Sequence, residues 1–311
     1  MTTQIPVHPS PDAIPAAPRS LWRDAWQRFR QDRMAVFGSI VLLVIIIGVL
    51  LGPLLYPASY SDIDFARATA PPSWRHPLGT NDLGQDQLAR ILWGGRVSVA
   101  VGMTAMLVSI FVGIVIGTIS GFYGGVIDDL LMRLTDLFLA LPQLPLLLLI
   151  IYLFRDSVRA IAGPAVGMFM LVIGVIGGLT WMSSARLVRA GFLAMKERDF
   201  VTTVRALGAR PRRIIWLHIL PNIIGPVIVA ATLGVGNAII TESTLSFLGI
   251  GFPPDVPTWG RMLYDAQNYL VSAPHMAIFP GLAIFLTVLS INYVGDGLRD
   301  ALDPQSRGGI G

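Results

Sequence analysis

Few side chains in this sequence are equipped to make or break bonds. Cysteine is absent, which removes thiolate nucleophiles, thiolate metal sites and disulfides together. The four histidines, His8, His76, His218 and His275, do not pair at a metal-ligand spacing, and no His-Glu-x-x-His run occurs. Lys196 is the single lysine and follows Ala194-Met195, whereas a phosphate-cradling loop needs Gly-Lys-Ser/Thr at the mouth of a helix. If ATP powers this protein, another chain must bind it. Asp129, Arg133 and Asp136 stand at i, i+4 and i, i+3 spacings and are expected to neutralise one another on one helix face. Glu242 closes an apolar run and is expected at the outer surface. An intramembrane enzyme would need a nucleophile with its base, or metal ligands, inside the bundle. A proton-coupled carrier would favour a mid-span carboxylate among other titratable groups. The residues suggest neither, and no catalytic or metal-binding residue is assigned.

The elements that must carry these residues are membrane spans. Of 311 residues 53% are hydrophobic and 14% charged, against about 25% charged in an ordinary soluble chain. Mean hydropathy is +0.65. The net charge of +4 is modest and the basic residues cluster between apolar runs, so nucleic acid is not an expected partner. Residues 1–19, rich in Pro and Ala, read as a disordered cytoplasmic lead rather than a signal peptide. Residues 20–33 predict an amphipathic interfacial helix, with Ser20 as N-cap and Leu21, Trp22, Ala25, Trp26 and Phe29 on its apolar side. Residues 34–55 form the first uncharged span, long enough for about 30 Å of hydrocarbon. A polar extracytoplasmic segment, 56–96, follows. Residues 97–297 contain five more spans, in the uncharged runs 97–127, 137–154, 160–185, 214–241 and 266–295, with a cytoplasmic loop at 186–218. Residues 298–311 form a cytoplasmic tail. With both termini inside, fifteen basic residues fall on inner segments and seven on outer ones, which sets the expected orientation. Gly113, Gly117 and Gly121 form a strip where another helix can approach closely. Pro142 and Pro145 are expected to kink the third span.

Asp199 to Asn222 is a basic, helix-forming stretch in this apolar chain. Phe200, Val204 and Leu207, with Val201 beside them, predict one apolar helical face. Gly208 should stop that helix, and Pro211 should restart another at a tolerated position. Arg205, Arg210, Arg212 and Arg213 keep the elbow out of the bilayer core, where a charge costs about 2.5–3.5 kcal/mol. An elbow with an exposed apolar stripe is what a docking surface for another protein requires.

This stretch resembles the cytoplasmic coupling loop of ABC importer permeases, with Gly208 and Ile219-Leu220-Pro221 in place and Thr202-Thr203-Val204 where the family carries Glu-Ala-Ala. Further segments are similar to the second, C-type membrane subunit of dipeptide and oligopeptide (peptide/nickel) importers. They are HPLGTNDLGQD at 76–86, with Gln85 where Arg is usual, LWGGRVS at 92–98, SFLGIG at 246–251, PTWGRML at 257–263 and GDGLRDALDP at 295–304. Locally, Pro77 and Gly79 set a turn, Asn81 or Asp82 should cap a short surface helix, and Trp259 reads as an interfacial anchor. The resemblance implies an all-α membrane protein of six transmembrane helices with the type I ABC importer permease fold, in the bacterial cytoplasmic membrane. It implies a homologous permease subunit as heterodimer partner, two ATPase subunits holding ATP and Mg, and an extracytoplasmic solute-binding protein. This chain would be a non-catalytic permease that carries no cofactor of its own. The implied ATPase-coupling residues are Phe200, Thr202, Thr203, Val204, Arg205, Ala206, Leu207 and Gly208. The cargo would be a peptide, with nickel chelate, glutathione or another small solute as alternatives, and a stand-alone ion-coupled carrier as a further one. No substrate-binding residue is assigned at this stage.

Overall fold

The computed structural model describes residues 21–303. The lead over 1–19, the Ser20 cap, the side chains of Leu21 and Trp22 and the tail beyond Asp303 lie outside the described residues.

The chain enters through α1 (Leu21–Gln31), where Ala25 and Phe29 are buried and Trp26 is exposed. Asp32 then caps α2 (Arg33–Leu55) by accepting from the Met34 and Ala35 amides at 2.8 and 3.2 Å. The interfacial reading of α1 captures only half of its surroundings. Its buried residues pack with Ala35 and Ala301, so protein rather than lipid covers that side.

Beyond the polar segment, α3 runs from Gln87 to Tyr123. It starts at Gln87 instead of near Val97 because Asp86 caps it, accepting from the Ala89 amide at 2.8 Å. Neither Asn81 nor Asp82 caps a surface helix: the Asn81 side chain instead closes a turn through the Leu83 and Gln85 amides. The two arginines ahead of Val97 are satisfied by neighbours. Arg90 donates to Gln85 and Asp265, and Arg96 donates to the carbonyls of Val49 and Leu50 at 2.9 and 2.6 Å. At 37 residues, α3 is about 55 Å long and overshoots the hydrocarbon layer.

Two expected spans are broken. Helices α4 (Gly125–Ala140) and α5 (Gln143–Ala162) meet at 87°, and α6 (Pro164–Gly178) and α7 (Trp181–Met195) at 42°. Pro142 is not inside a kinked helix. It is the N-cap of a new one, in extended backbone, which is why the bend is so sharp. The rest of the chain is the short α8 (Asp199–Ala206), the single turn α9 (Pro211–Arg213), a π-helical turn at Ile214–Ile219, α10 (Leu220–Phe247), α11 (Trp259–Ala266) and α12 (His275–Leu302). Pro211–Phe247 forms one continuous rod. With α2, α3 and α12 it makes four helices long and apolar enough to cross a membrane, or six crossings when each bent pair counts as one, the expected number.

The glycine strip meets α7. A Cβ on Gly113 would lie 2.5 Å from Ser184 Cβ, on Gly117 2.5 Å from the Ala185 carbonyl oxygen, and on Gly121 2.6 Å from Phe192 Cβ. The main core gathers Val101 and Ala105 of α3, Leu147 and Ile151 of α5, Met168, Val172 and Ile176 of α6 and Leu245 of α10. At one end of the bundle, α1, the close of α12 and the start of α10 come together; a Cβ at Gly225 would lie 3.7 Å from Leu302 Cβ. At the other end the 56–86 segment, α11 and the start of α12 form a cap, tied by His275 Nε2 against the Thr80 carbonyl at 3.1 Å.

Candidate coupling surface and translocation cavity

Helix α8 is a two-turn unit with two unlike faces. At about 100° per residue, Val201 points furthest into the bundle, Val204 sits on the boundary, and Phe200, Leu207 and Thr203 turn outward. Val201 is fully buried among Val188, Phe192, Ile214, Ile215, Ile219, Ile223 and Val227, with Val204 packed against the same cluster. Phe200 is 42% and Leu207 81% exposed. The apolar stripe read from the sequence is therefore divided. Its Val201–Val204 edge anchors the helix, and its Phe200–Leu207 edge is free. Arg205, Ala206, Thr202 and Thr203 are exposed, and both threonine hydroxyls donate back to the Asp199 carbonyl, at 2.9 and 2.7 Å.

Gly208 ends the helix as expected. Its φ is +81°, the left-handed region that a Cβ disfavours. The Gly208 amide donates to Arg205 O at 3.0 Å and the Ala209 amide to Val204 O at 3.2 Å, the paired bonds of a Schellman stop. Pro211 then occupies the first turn of α9. The structure thus brings all eight sequence-assigned residues onto one short element, with Phe200 and Leu207 as its uncovered apolar contacts.

Beneath this elbow, charges pair across helices and not along one. Arg189 of α7 forks onto Asp128 of α4, with both N–H···O contacts at 2.6 Å and the Ser120 hydroxyl as third partner. Arg186 pairs with Asp136. The expected Asp129–Arg133–Asp136 cluster on one face is replaced by these two bridges from α4 to α7.

A cavity of about 460 Å³ opens where the bent pairs break. Gln143 at the start of α5, Thr180 and Ser183 at the α6–α7 break, and Asn237 and Thr241 of α10 supply its polar groups, with Met106, Leu139, Leu179 and Leu233 among the apolar ones. No charged side chain lines it. Irregular backbone at membrane depth is tolerated where it borders such a space. Sequence reasoning named none of these residues. The available signal was weak: Asn237 is the only amide between Ile223 and Ile240, and Gln143 directly follows Pro142.

Two outer-end residues differ from expectation. Glu242 is not at the surface but wholly buried, accepting from Ser246 at 2.7 Å and Ser98 at 3.2 Å, with no basic side chain among its hydrogen-bond partners. Trp259 is no interfacial anchor: it is 1% exposed, its indole donates to the Ile91 carbonyl at 3.0 Å, and its amide donates to the Ser98 hydroxyl at 3.2 Å. Ser98 of α3, Glu242 of α10 and Trp259 of α11 therefore form one chain of contacts. Nearby, Asp265 receives Arg261 at 3.0 Å and Arg90 at 3.3 Å; burial pushes its carboxyl above the usual range, against the pull of both guanidiniums.

Residues 113–308 match the family described as binding-protein-dependent transport system inner membrane component, and residues 20–72 match the N-terminal TM domain of oligopeptide transport permease C. The chain is 37% identical over 288 residues to the dipeptide transport system permease protein DppC of Alkalihalophilus pseudofirmus, covering 93% of this chain and 91% of that one. It is 37% identical over 289 residues to the oligopeptide transport system permease protein OppC of Bacillus subtilis, with the same coverage. It is 38% identical over 288 residues to the glutathione transport system permease protein GsiD of Pectobacterium atrosepticum, covering 92% of each. In fold it is similar to a chain of the inward-facing MetNI methionine ABC transporter, with a TM-score of 0.52 at 18% identity, over 67% of this chain and 94% of that one. Matched through most of its length to that family and to its permeases, this chain belongs to the inner-membrane components of binding-protein-dependent transport systems, and is a multi-pass membrane protein.

Proposed function

We propose that the chain is one of two related permease subunits of an ATP-driven peptide importer, with the α8 elbow and both chain ends in the cytoplasm. Two ATPase subunits hold ATP and Mg, and an extracytoplasmic binding protein delivers the cargo. Relatives named for dipeptide, oligopeptide and glutathione transport support a peptide-like cargo. So does an uncharged cavity bearing amides and hydroxyls, which can meet a peptide backbone without selecting for side-chain charge. Glutathione is itself a small peptide, and the 38% identical relative makes it the second reading.

The observation that carries the coupling role is that Phe200 and Leu207 are exposed on a helix whose other edge is locked in the core. A push on that face passes through Val201 and Val204 to Phe192 and Val188 of α7 and to Ile214 and Ile215 at the base of α10. The same two helices carry Ser183 and Asn237 to the cavity wall. A rigid tilt of α7 and α10 therefore changes the cavity's shape in response to movement at the opposite face of α8. Leu207→Asp and Gly208→Pro test this in the complete transporter in proteoliposomes. The first places a charge in the contact; the second demands a φ near −65° where +81° stands, and removes the amide that reaches Arg205. Both variants should insert normally and lose uptake, while ATP hydrolysis no longer responds to loaded binding protein. Uptake at the parent rate by Leu207→Asp would refute the coupling role.

A further inference from the structure

A second cavity, of about 600 Å³, lies at the foot of the Pro211–Phe247 rod and plays no part in the path described above. Arg210, Arg212, Arg213, Trp216 and Leu217 line it. The three arginines are exposed, and none forms an ion pair among the described residues. No acidic side chain contributes to the lining. Three guanidiniums with no acidic side chain among them border one open hollow, a surface suited to an anion.

The other wall is apolar. Trp216 is 59% and Leu217 62% exposed, one helical turn beyond the arginines. Ile214, Ile215 and Ile219 of the π-helical turn at Ile214–Ile219 are buried, which leaves the two consecutive large apolar residues between them facing away from the core. Arginines directly before a membrane rod, with tryptophan a turn further in, match the order of layers at a bilayer surface: phosphate, then the interface, then hydrocarbon.

We propose that this cavity binds an anionic phospholipid, with the phosphate held by Arg210, Arg212 and Arg213 and the glycerol and upper acyl chain lying along Trp216 and Leu217. A soluble phosphate ester would satisfy the arginines but leave both apolar side chains uncovered. An acidic protein surface would have no use for an apolar wall inside the headgroup layer. The site adjoins the α8 elbow, so the lipid would brace the joint through which α8 meets α10. This inference needs only that the chain spans a membrane and does not depend on the cargo or on the coupling role.

The test is a lipid titration of the delipidated, full-length chain in detergent, followed by native mass spectrometry, with phosphatidylglycerol and phosphatidylcholine as separate probes. The parent should prefer phosphatidylglycerol. Replacing all three arginines by glutamine should weaken phosphatidylglycerol binding on the order of 100-fold, since each surface basic residue contributes about a fivefold attraction, and should weaken phosphatidylcholine, whose phosphate is offset by its own choline cation, far less. The corresponding triple lysine variant keeps the charge and should retain the preference, and Trp216→Ala should weaken phosphatidylglycerol with all arginines in place. These two variants carry the test if the glutamine variant folds poorly. Equal binding of the two lipids by the parent would overturn the proposal, as would unchanged phosphatidylglycerol binding by the glutamine and Trp216→Ala variants. Displacement by sn-glycerol 3-phosphate at equimolar concentration would reassign the cradle to a soluble anion and overturn the lipid assignment. Loss of co-purifying ATPase subunits with lipid binding intact would make it a protein contact and overturn it as well.

Discussion

Replacing Glu242 by alanine should loosen the outer cap from the bundle. The carboxylate accepts from Ser246 at 2.7 Å and from Ser98 at 3.2 Å, and Ser98 in turn receives the Trp259 amide. A buried hydroxyl left without its partner costs about 1–3 kcal/mol, so stranding Ser98 and Ser246 together costs about 2–6 kcal/mol, with a further contribution from the cavity left behind. Glutamine fills the same volume, and its carbonyl can still accept from one hydroxyl while its amide meets the other. The Gln variant should then lose less than about 1 kcal/mol. At about 2 °C per kcal/mol, the low end for large domains, alanine should lower the unfolding temperature by about 4–12 °C and glutamine by less than about 2 °C. Thermal unfolding of the purified chain in detergent, followed by tryptophan fluorescence, reads both. Trp259 is buried at this contact, and its exposure adds to the signal of the chain's seven tryptophans. An alanine variant that unfolds with the parent, or no lower than the glutamine variant, would show that the buried carboxyl does not hold α3, α10 and α11 together.

Gly117→Leu should force α3 from α7, because even a Cβ there would lie 2.5 Å from the Ala185 carbonyl and 2.7 Å from Val188 Cβ; a loss of about 3 kcal/mol or more is expected in denaturant unfolding, against little change for Gly48→Leu, where no atom lies within 4 Å. Asp128→Asn should cost about 1–3 kcal/mol by leaving the forked, partly exposed Arg189 guanidinium short of its counter-charge. Adding Arg189→Met to Asp128→Asn should restore part of the loss in a double-mutant cycle. The raised carboxyl of Asp265 makes the folded state hold its proton more tightly than the unfolded chain does. Its contribution to stability should fall as pH rises from the ordinary carboxylate range through the raised folded value, and Asp265→Asn should remove that slope from unfolding measured across the acid range.

The parts of this molecule that local chemistry dictates were open to reading from the chain. Gly208 at φ +81° and Pro211 in a first turn are properties of two residue types, and the structure shows both. The Gly113–Gly117–Gly121 spacing implied a close neighbour, although nothing in it named α7. What stayed hidden depends on partners far along the chain. In sequence a charge marks the end of a span, which puts Glu242 at the surface and Arg90 and Arg96 outside the second helix. Each is inside because something distant satisfies it: Ser98 for Glu242, Asp265 for Arg90, two α2 carbonyls for Arg96. Trp259 was misplaced for a similar reason. Gly260, where a Cβ would lie 2.5 Å from Ser243 Cα, brings α11 hard against α10 and carries the indole inward. The cavity residues were unreadable because two helix breaks, far apart in sequence, create that space together.

The seat of α2 has a bearing on how the chain is made. Its Gly38 lies against Tyr293 and Ser290, and Ala35 against Gly297, so the first span to leave the ribosome fits against the last. Those contacts are on the order of 250 residues apart, a wait of about 12–50 s at ordinary rates of synthesis. A chain halted before His275 should leave Ala35 and Gly38, on the face that α12 covers, open to crosslinking with added lipid probes, and one that includes α12 should not, while outward Leu43 and Val44 crosslink in both. Until α12 is made, that face of α2 lacks its seat, and α12 is the clasp that covers it.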